Sequence, residues 1–359
     1  MESMAVNRDF WRDKRVFLTG HTGFKGGWLA LWLADMGAEV HGYALPSPTE
    51  QNFYTVANLR DRLASSTIAD IRDAELLGKA MQAADPEIVL HLAAQPLVRH
   101  SYMAPVETYA VNVMGVVNLL EAVRQTPGVK AVVNVTTDKC YENREWVWPY
   151  RENEALGGFD PYSSSKACSE LVTAAYRRSY LEPAGVGLAS ARAGNVIGGG
   201  DWAADRLVPD FLRALDEGRR LVIRSPKATR PWQHVLEPLS GYLSLAEKLF
   251  SEGQPFAEAW NFGPEEVDAR PVQWIVENLC TQVVGASWQC DASLQPHEAK
   301  TLKLDSSKAK ARLGWRPRWG LQTSLGMTMA WHKAWKSGSD MTAVSVNQIR
   351  HYETAQVQS

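Results

Sequence analysis

Tyr162 and Lys166 are the residues whose types and spacing most directly suggest chemistry. They stand four residues apart in the stretch PYSSSK, so on a helix they would share one face. A neighbouring ammonium favours the phenolate form of a tyrosine, and a phenolate can remove a hydroxyl proton while hydride leaves the same carbon. An ordinary surface pair would have the same spacing, but Tyr162 is the only tyrosine with a lysine four residues later. We therefore predict a catalytic pair.

A second group of candidate residues, Thr137-Asp138-Lys139, directly follows an apolar run that ends at Val135. A hydroxyl at a strand end can hydrogen-bond the oxygen that Tyr162 deprotonates, and an adjacent carboxyl and amine can serve as acid and base. By itself the stretch would be interpreted as a solvated turn with opposite charges. Its position at a strand end favours a functional role instead.

Three glycines, Gly20, Gly23 and Gly26, separate an apolar run at 16–18 from an apolar helical pattern at 28–33. Strand, glycine-rich turn and helix form the context of a dinucleotide-binding fingerprint. The glycines allow a tight turn, a close approach to a pyrophosphate and packing of the helix on the strand, and the helix N-terminus favours the anion. The predicted cofactor contacts in this turn are Gly20, His21, Thr22, Gly23, Phe24, Lys25 and Gly26.

The second predicted strand ends in Tyr43-Ala44-Leu45, where a dinucleotide-binding fold usually places an acid for the ribose hydroxyl. The choice between NAD and NADP therefore stays open at this position. A third strand, at 65–68, leads to Asp70 and places an acid near the adenine.

Strands and helices alternate along most of the chain. Apolar runs predict strands at 14–18, 38–43, 65–68, 88–94, 130–135, 186–191 and 259–262, with helices near 106–124 and 162–180 and from 236. This alternation predicts an α/β fold with a Rossmann-type, doubly wound parallel sheet. Ligands of such sheets bind beyond the carboxyl ends of the strands, so we expect a cleft near residues 20, 94, 136 and 194.

The regular alternation fades after residue 197, which predicts a division into two domains. We assign residues 1–197 and 236–262 to a NAD-binding Rossmann domain. Residues 198–235 and 263–337 would form a smaller, mostly C-terminal α/β cap that binds the substrate. The polar tail, 338–359, is expected to be loose.

Composition excludes several classes of protein. With 359 residues, 45% of them hydrophobic, the chain has ample material for a core, and 38 basic against 40 acidic residues give no global field for nucleic acid or an anionic membrane. The four cysteines have no CxxC spacing, so we expect neither a disulfide framework nor a metal site. The first twenty residues carry charges throughout and no apolar run approaches the roughly 20 residues of a spanning helix, so we expect a soluble, cytoplasmic protein.

Over residues 12–330 the chain resembles the extended short-chain dehydrogenases/reductases that act on nucleotide sugars. Three motifs carry the resemblance: GHTGFKG from Gly20, TTDKCY from Thr136 and PYSSSK from Pro161. Together they resemble the branch of this family that dehydrates a nucleotide hexose across C5 and C6. The implied reaction converts CDP-D-glucose to CDP-4-keto-6-deoxy-D-glucose and water with NAD as cofactor, supplying deoxysugars for surface polysaccharide such as the O antigen of lipopolysaccharide.

The resemblance also implies a role for each residue that matches a family motif. The pyrophosphate of NAD would lie at the three glycines, with Thr137, Tyr162 and Lys166 as the oxidising triad and Asp138 as the acid that protonates the departing C6 hydroxyl. The remaining cofactor contacts would be Asp70, Ile71, Ala93, Ala94 and Asn112. The implied substrate contacts are Gln95, Arg192, Asn195 and Arg230, with Arg230 at the diphosphate, and a further stretch contains His297, Glu298 and Lys300.

Several interpretations of these residues stay open. Dehydratases acting on dTDP-glucose usually carry Glu where this chain has Lys139, and we hypothesise that Lys139 removes the C5 proton. A nucleotide-sugar 4-epimerase would use the same Tyr162 and Lys166 without an acid and base at 138 and 139. A dehydratase of another nucleotide hexose, or a non-catalytic NAD-binding regulator, would also be consistent with the motifs. The resemblance further implies a homodimer built on the helices near 106–124 and 162–180.

Overall fold

A seven-stranded parallel sheet forms the centre of the protein. The structure is a computed structural model that describes residues 6–291 and 299–357. The strands are β1 (Arg15–Thr19), β2 (Glu39–Ala44), β3 (Ser65–Ile68), β4 (Ile88–His91), β5 (Ala131–Val135), β6 (Gly187–Ala193) and β7 (Ala259–Phe262). Their order is β3-β2-β1-β4-β5-β6-β7, and every neighbouring pair is parallel. The order reverses between β1 and β4, which is where a crevice opens in a doubly wound sheet.

Helices cover both faces of this sheet. The long ones are α1 (Phe24–Asp35), α2 (Ala74–Ala84), α3 (Pro105–Arg124, with a π-helical turn at Ala110–Met114), α4 (Pro161–Tyr176), α5 (Leu207–Asp216), α6 (Leu236–Glu252), α7 (Val272–Thr281), α8 (Leu321–Lys336) and α9 (Met341–Thr354). Strands β1, β4, β5 and β6 are almost wholly buried, as expected for apolar parallel strands with two covered faces. One apolar core joins the sheet to α1 and α6, and another joins it to α2 and α3.

Short elements connect these helices and strands. Helical turns lie at Arg8–Trp11, Phe53–Val56, Leu59–Arg62, Val98–Met103, Asp138–Cys140, Arg177–Leu181, Gln254–Phe256, Glu266–Asp268 and Ala309–Leu313. Paired short strands lie at Val196–Ile197, Leu221–Ile223, Thr229–Pro231, Gln233–His234, Ala269–Pro271 and Trp288–Cys290. A third apolar cluster, which includes residues of α5, α7 and α8, fills the part of the molecule after residue 197. The division into a NAD-binding domain and a cap stays a prediction.

The predicted seven strands and the parallel, doubly wound topology are confirmed, with shifts of a few residues at the ends. The prediction of a loose tail is wrong. Residues 341–354 form helix α9, which begins after the capping side chain of Asp340 and buries Ile349 and Tyr352 against the core. The segment is polar on average, but its few apolar residues pack on the side of the helix that contacts α1.

Helix α3 also departs from the expectation drawn from the sequence. By length and composition it could cross a membrane, the one such helix in residues 6–291 and 299–357, with a mean hydropathy of 1.2. Half of that window is buried in the protein, and α3 contacts α2 and α4. The buried half of its apolar window therefore packs on neighbouring helices.

Candidate active site

A cleft of about 600 Å³ opens at the carboxyl ends of β1, β4, β5 and β6, where the alternation of strands and helices predicts it. Its walls combine residues from the glycine turn, the ends of these strands, the start of α4 and the segments after residue 197. Predicted site residues that line it are Gly20, Thr22, Gly23, Phe24, Lys25, Gly26, Asp70, Ile71, Ala93, Ala94, Thr137, Asp138, Lys139, Tyr162, Lys166, Asn195 and Arg230.

The glycine turn brings the N-terminus of α1 to the cleft. Gly20 has φ +79°, a conformation that favours glycine. A Cβ at Gly26 would lie 2.0 Å from the carbonyl oxygen of Gly20, so that position has no room for a side chain. Gly23 is the N-cap of α1, and the free amides of a first helical turn attract an anion. The turn therefore fits the pyrophosphate of a dinucleotide.

Tyr162 and Lys166 are buried on one face of α4. The helix begins at Pro161 because Asp160 accepts a hydrogen bond from the backbone N–H of Ser163, at 2.9 Å. Burial raises the pKa of Tyr162 to about 12, although the Thr137 hydroxyl lowers it. Burial lowers the pKa of Lys166 to about 8. The Lys166 ammonium donates to the carbonyl of Val135, at 3.3 Å, so it joins α4 to the end of β5.

Asp138 lies in the helical turn that follows β5. Burial raises the pKa of its carboxyl, although the charge of Lys139 lowers it. The Thr137 hydroxyl donates to Oδ1 of Asp138 at 3.0 Å, whereas the buried Oδ2 has no hydrogen-bond partner in the described part of the chain. A buried carboxyl with a raised pKa and an open oxygen is suited to donate a proton.

Lys25 and Arg206 add positive charge to the same cleft. Burial lowers the pKa of Lys25 to about 7, and the charges of Arg206 and Lys166 lower it further. The Lys25 ammonium lies 3.3 Å from the hydroxyl of Tyr242, and Arg206 pairs with Asp201 at 2.9 Å. Arg206, Asp201 and Tyr242 were missed from sequence. The sequence signal that could have indicated Asp201 and Arg206 is their position just after the glycines at 198–200.

Arg230 lines the cleft as predicted. Its guanidinium donates to the carbonyls of Thr229 and Ala299, at 2.9 and 2.5 Å, and its charge helps to lower the pKa of Asp138. Lys300 contributes its carbonyl to the same guanidinium, at 3.3 Å. His297 and Glu298 lie outside the described residues.

Four predicted site residues do not line the cleft. Arg192 is the clearest correction: its side chain is 3% exposed and pairs with the carboxylate of Glu170 at 2.9 Å, so it does not face a substrate. The side chain of Gln95 donates to the hydroxyl of Thr108 on α3 and accepts from the backbone N–H of Leu97. Asn112 is buried and donates to the carbonyl of Gln95 and to Ser165.

His21 is the fourth of these residues. Its ring is fully buried and lies 2.8 Å from the Ser66 hydroxyl. A Cβ at Gly42 would lie 2.5 Å from this ring, so the imidazole packs against β2. Only the backbone of His21 belongs to the glycine turn.

This fold and this site together define an extended short-chain dehydrogenase/reductase. The model of the GDP-mannose 4,6-dehydratase family matches residues 17–328. The chain therefore belongs to that family. A dinucleotide-binding turn, a Tyr–Lys pair on α4 and an acid beside them fit such a dehydratase.

Within this family, the chain is similar to proteins that act on particular nucleotide sugars. The chain is 56% identical to the CDP-glucose 4,6-dehydratase of Salmonella typhimurium, over 98% of this chain and 99% of that protein. It is 25% identical to the structure of a dTDP-glucose 4,6-dehydratase from Streptomyces venezuelae with NAD and TYD bound, with a TM-score of 0.73 over 91% of this chain and 99% of that one. A UDP-glucose 4-epimerase from Thermus thermophilus in complex with NAD is also 25% identical, with a TM-score of 0.74 over 89% and 98%.

Proposed function

We propose that this protein converts CDP-D-glucose to CDP-4-keto-6-deoxy-D-glucose and water, with NAD as a cofactor that is regenerated in each turnover. The observation that carries the proposal is that Thr137, Asp138 and Tyr162 line one cleft and that Thr137 donates to Asp138 at 3.0 Å, which places an acid beside the oxidising pair. The 56% identity to a CDP-glucose 4,6-dehydratase supports the choice of nucleotide sugar. The NAD in the Streptomyces venezuelae dehydratase supports the choice of cofactor.

The residues of the cleft divide the reaction between them. The glycine turn would hold NAD, which would supply the acceptor for the hydride of C4 and the donor of that hydride to C6. Tyr162 takes the proton of the 4-hydroxyl and Thr137 holds the same oxygen. The charges of Lys166 and Arg206 would favour the phenolate against the burial that raises the pKa of Tyr162. The resulting ketone acidifies C5, and Asp138 then protonates the departing C6 hydroxyl as water. Arg230 holds the diphosphate, since a guanidinium matches phosphate oxygens.

The reaction is tested by mass spectrometry of products. Purified protein is incubated with NAD and, separately, with CDP-glucose, dTDP-glucose, UDP-glucose or GDP-mannose. We expect loss of one water from CDP-glucose alone. Loss of water from another nucleotide sugar would identify that sugar as the substrate instead. No mass change with any sugar would favour a 4-epimerase, because epimerisation conserves mass.

We further propose that Lys139 removes the C5 proton. It lines the cleft beside Asp138, and the amine of a positioned lysine can serve as a general base. Lys139→Ala should therefore oxidise C4 but exchange the C5 hydrogen with solvent deuterium slowly. C5 exchange at the wild-type rate in this variant would contradict the assignment and leave Lys139 with a positioning role.

We also propose a homodimer that covers the outer faces of α3 and α4. Apolar side chains are exposed there: Val106 at 82%, Met114 at 52% and Leu171 at 60%. Exposed apolar area of this kind is typical of an interface. Leu171→Glu should halve the mass measured by light scattering, whereas Val284→Glu, at a fully exposed position in the loop after α7, should not. A monomeric wild type would contradict the proposal.

We also propose that the protein acts in the cytoplasm and that its product supplies deoxysugars for surface polysaccharide. The four cysteines are free thiols, which is typical of a reducing compartment. Cell fractionation tests the location, and analysis of surface polysaccharide after deletion of the gene tests the supply.

A further inference from the structure

Glu170 and Arg192 form a buried ion pair directly behind the catalytic residues. Two guanidinium nitrogens of Arg192 donate to the two carboxylate oxygens of Glu170, both at 2.9 Å. Both side chains are 3% exposed. Glu170 lies four residues after Lys166 on α4, one helical turn further from the cleft. A bidentate pair in this environment is rigid, because neither group has water as an alternative partner.

This pair holds the catalytic turn, residues 137–139, from both sides. On the side of β5, the hydroxyl of Thr136 donates to Oε1 of Glu170 at 2.5 Å. On the other side, the third guanidinium nitrogen of Arg192 donates to the hydroxyl of Tyr141 at 2.8 Å. The turn that carries Asp138 therefore lies between two side chains anchored to one ion pair.

The same network extends into the neighbouring strands. Ser190 on β6 donates to Oε2 of Glu170 at 2.6 Å. The Tyr141 hydroxyl donates to Oδ1 of Asn261 on β7 at 2.7 Å, and Arg192 also donates to the carbonyl of Glu152 at 3.0 Å. The pair thus joins α4, the catalytic turn and strands β6 and β7 into one polar unit in the protein interior.

We propose that Glu170 and Arg192, acting through Thr136 and Tyr141, are positioning residues that fix Asp138 against Tyr162. The inference rests on the proposed function, since Asp138 matters there as the acid of the elimination. Tyr162 is held by its own helix, whereas the backbone hydrogen bonds that close the turn of Asp138 are long, at 3.3 and 3.5 Å. Weakening the network should therefore displace Asp138 more than Tyr162, and slow loss of water more than oxidation of C4.

Two mild variants test this. Tyr141→Phe removes one hydroxyl and leaves the ion pair and the ring in place. Arg192→Lys keeps the charge near Glu170 but loses the fork that reaches Tyr141. For both we expect a kcat about tenfold to a hundredfold lower, a typical cost of a misplaced catalytic group. We expect the KM for CDP-glucose to stay within about twofold, and NADH to accumulate on the enzyme during turnover.

Tyr352→Phe is the matched control. Its buried hydroxyl donates to Oε2 of Glu237 at 2.8 Å, on α9 and away from the cleft. This variant should lower thermal stability about as much as Tyr141→Phe without accumulating NADH. A Tyr141→Phe protein with wild-type kcat and no accumulated NADH would overturn the proposal, as would a change in KM alone.

A second measurement does not depend on the reaction. Hydrogen exchange of the backbone amides of 138–141 should be faster in Tyr141→Phe than in the wild type, and unchanged in Tyr352→Phe. Unchanged exchange in Tyr141→Phe would refute the positioning role even if the wild type dehydrated no sugar. Absence of water loss in the wild type, by contrast, would refute the proposed function alone.

Discussion

Thr137 at the end of β5 and Tyr162 in the first turn of α4 line the same cleft, and the Thr137 hydroxyl lowers the pKa of the Tyr162 phenol. The same threonine donates to Asp138 at 3.0 Å. One hydroxyl therefore bonds the group assigned to elimination and lies in the same cleft as the group assigned to oxidation. A substrate whose C4 oxygen is held at Thr137 would bring its C6 hydroxyl within the reach of Asp138, and the two half-reactions would need no movement of the sugar between sites.

Removal of the Tyr162 hydroxyl should slow turnover strongly while leaving the fold intact. Tyr162→Phe loses the base for the 4-hydroxyl, so we expect kcat to fall by about a thousandfold, within the usual range for a general base. NAD affinity should change little. Rapid mixing with CDP-glucose should show no NADH. Tyr176→Phe, on the same helix but outside the cleft and bonded to Glu121, should keep wild-type kinetics.

Asp138→Asn should stop the reaction after oxidation. The amide cannot protonate the C6 hydroxyl, so we expect turnover to fall by about a hundredfold or more while NADH still forms. The absorbance of enzyme-bound NADH after a single mixing with CDP-glucose distinguishes the two variants, because NADH should form in Asp138→Asn and not in Tyr162→Phe. Equal loss of NADH formation in both variants would show that Asp138 is needed for oxidation as well.

Gly26 and Gly23 should respond differently to alanine. A Cβ at Gly26 would lie 2.0 Å from the Gly20 carbonyl oxygen, so Gly26→Ala should destabilise the protein by about 1–3 kcal/mol or more, as overpacking does. A Cβ at Gly23 meets only the same oxygen at 3.4 Å. Gly23→Ala should therefore keep the melting temperature and weaken NAD binding, which calorimetry can measure. Equal melting temperatures for both variants would contradict the packing argument.

Glu247 on α6 should make stability depend on pH. Burial raises the pKa of its carboxyl from 4.5 to about 7, while Oε1 accepts hydrogen bonds from Trp11 and the backbone of Asn7. The folded state then binds more protons between these pH values, so its stabilisation is complete below about 4.5 and is lost as pH rises through about 7.

Glu247→Gln keeps the acceptor and removes the charge. At pH 8 it should raise the free energy of unfolding by up to about 3 kcal/mol relative to the wild type, with little change at pH 5. Urea unfolding at the two pH values measures this. A destabilised variant at pH 8 would show that the carboxylate is stabilised in the folded protein despite its burial.

Local patterns in the sequence determined the central sheet, the glycine turn and the Tyr162–Lys166 pair. Each depends on residues close together in the chain: a strand is an apolar run, a helix places residues four apart on one face, and a tight turn needs glycine. These features were predictable because their geometry depends on the local backbone and on nearby residues in the chain.

Only the tertiary structure decided which polar groups meet in the interior. Arg192 matches a substrate-binding motif of the family. In the structure, however, its guanidinium pairs with the carboxylate of Glu170 on α4. Helix α9 is polar on average, yet α1 offers its few apolar residues a surface. Partners of this kind come from distant parts of the chain, and the burial that makes a charge or a short apolar stripe decisive exists only after the layers have packed.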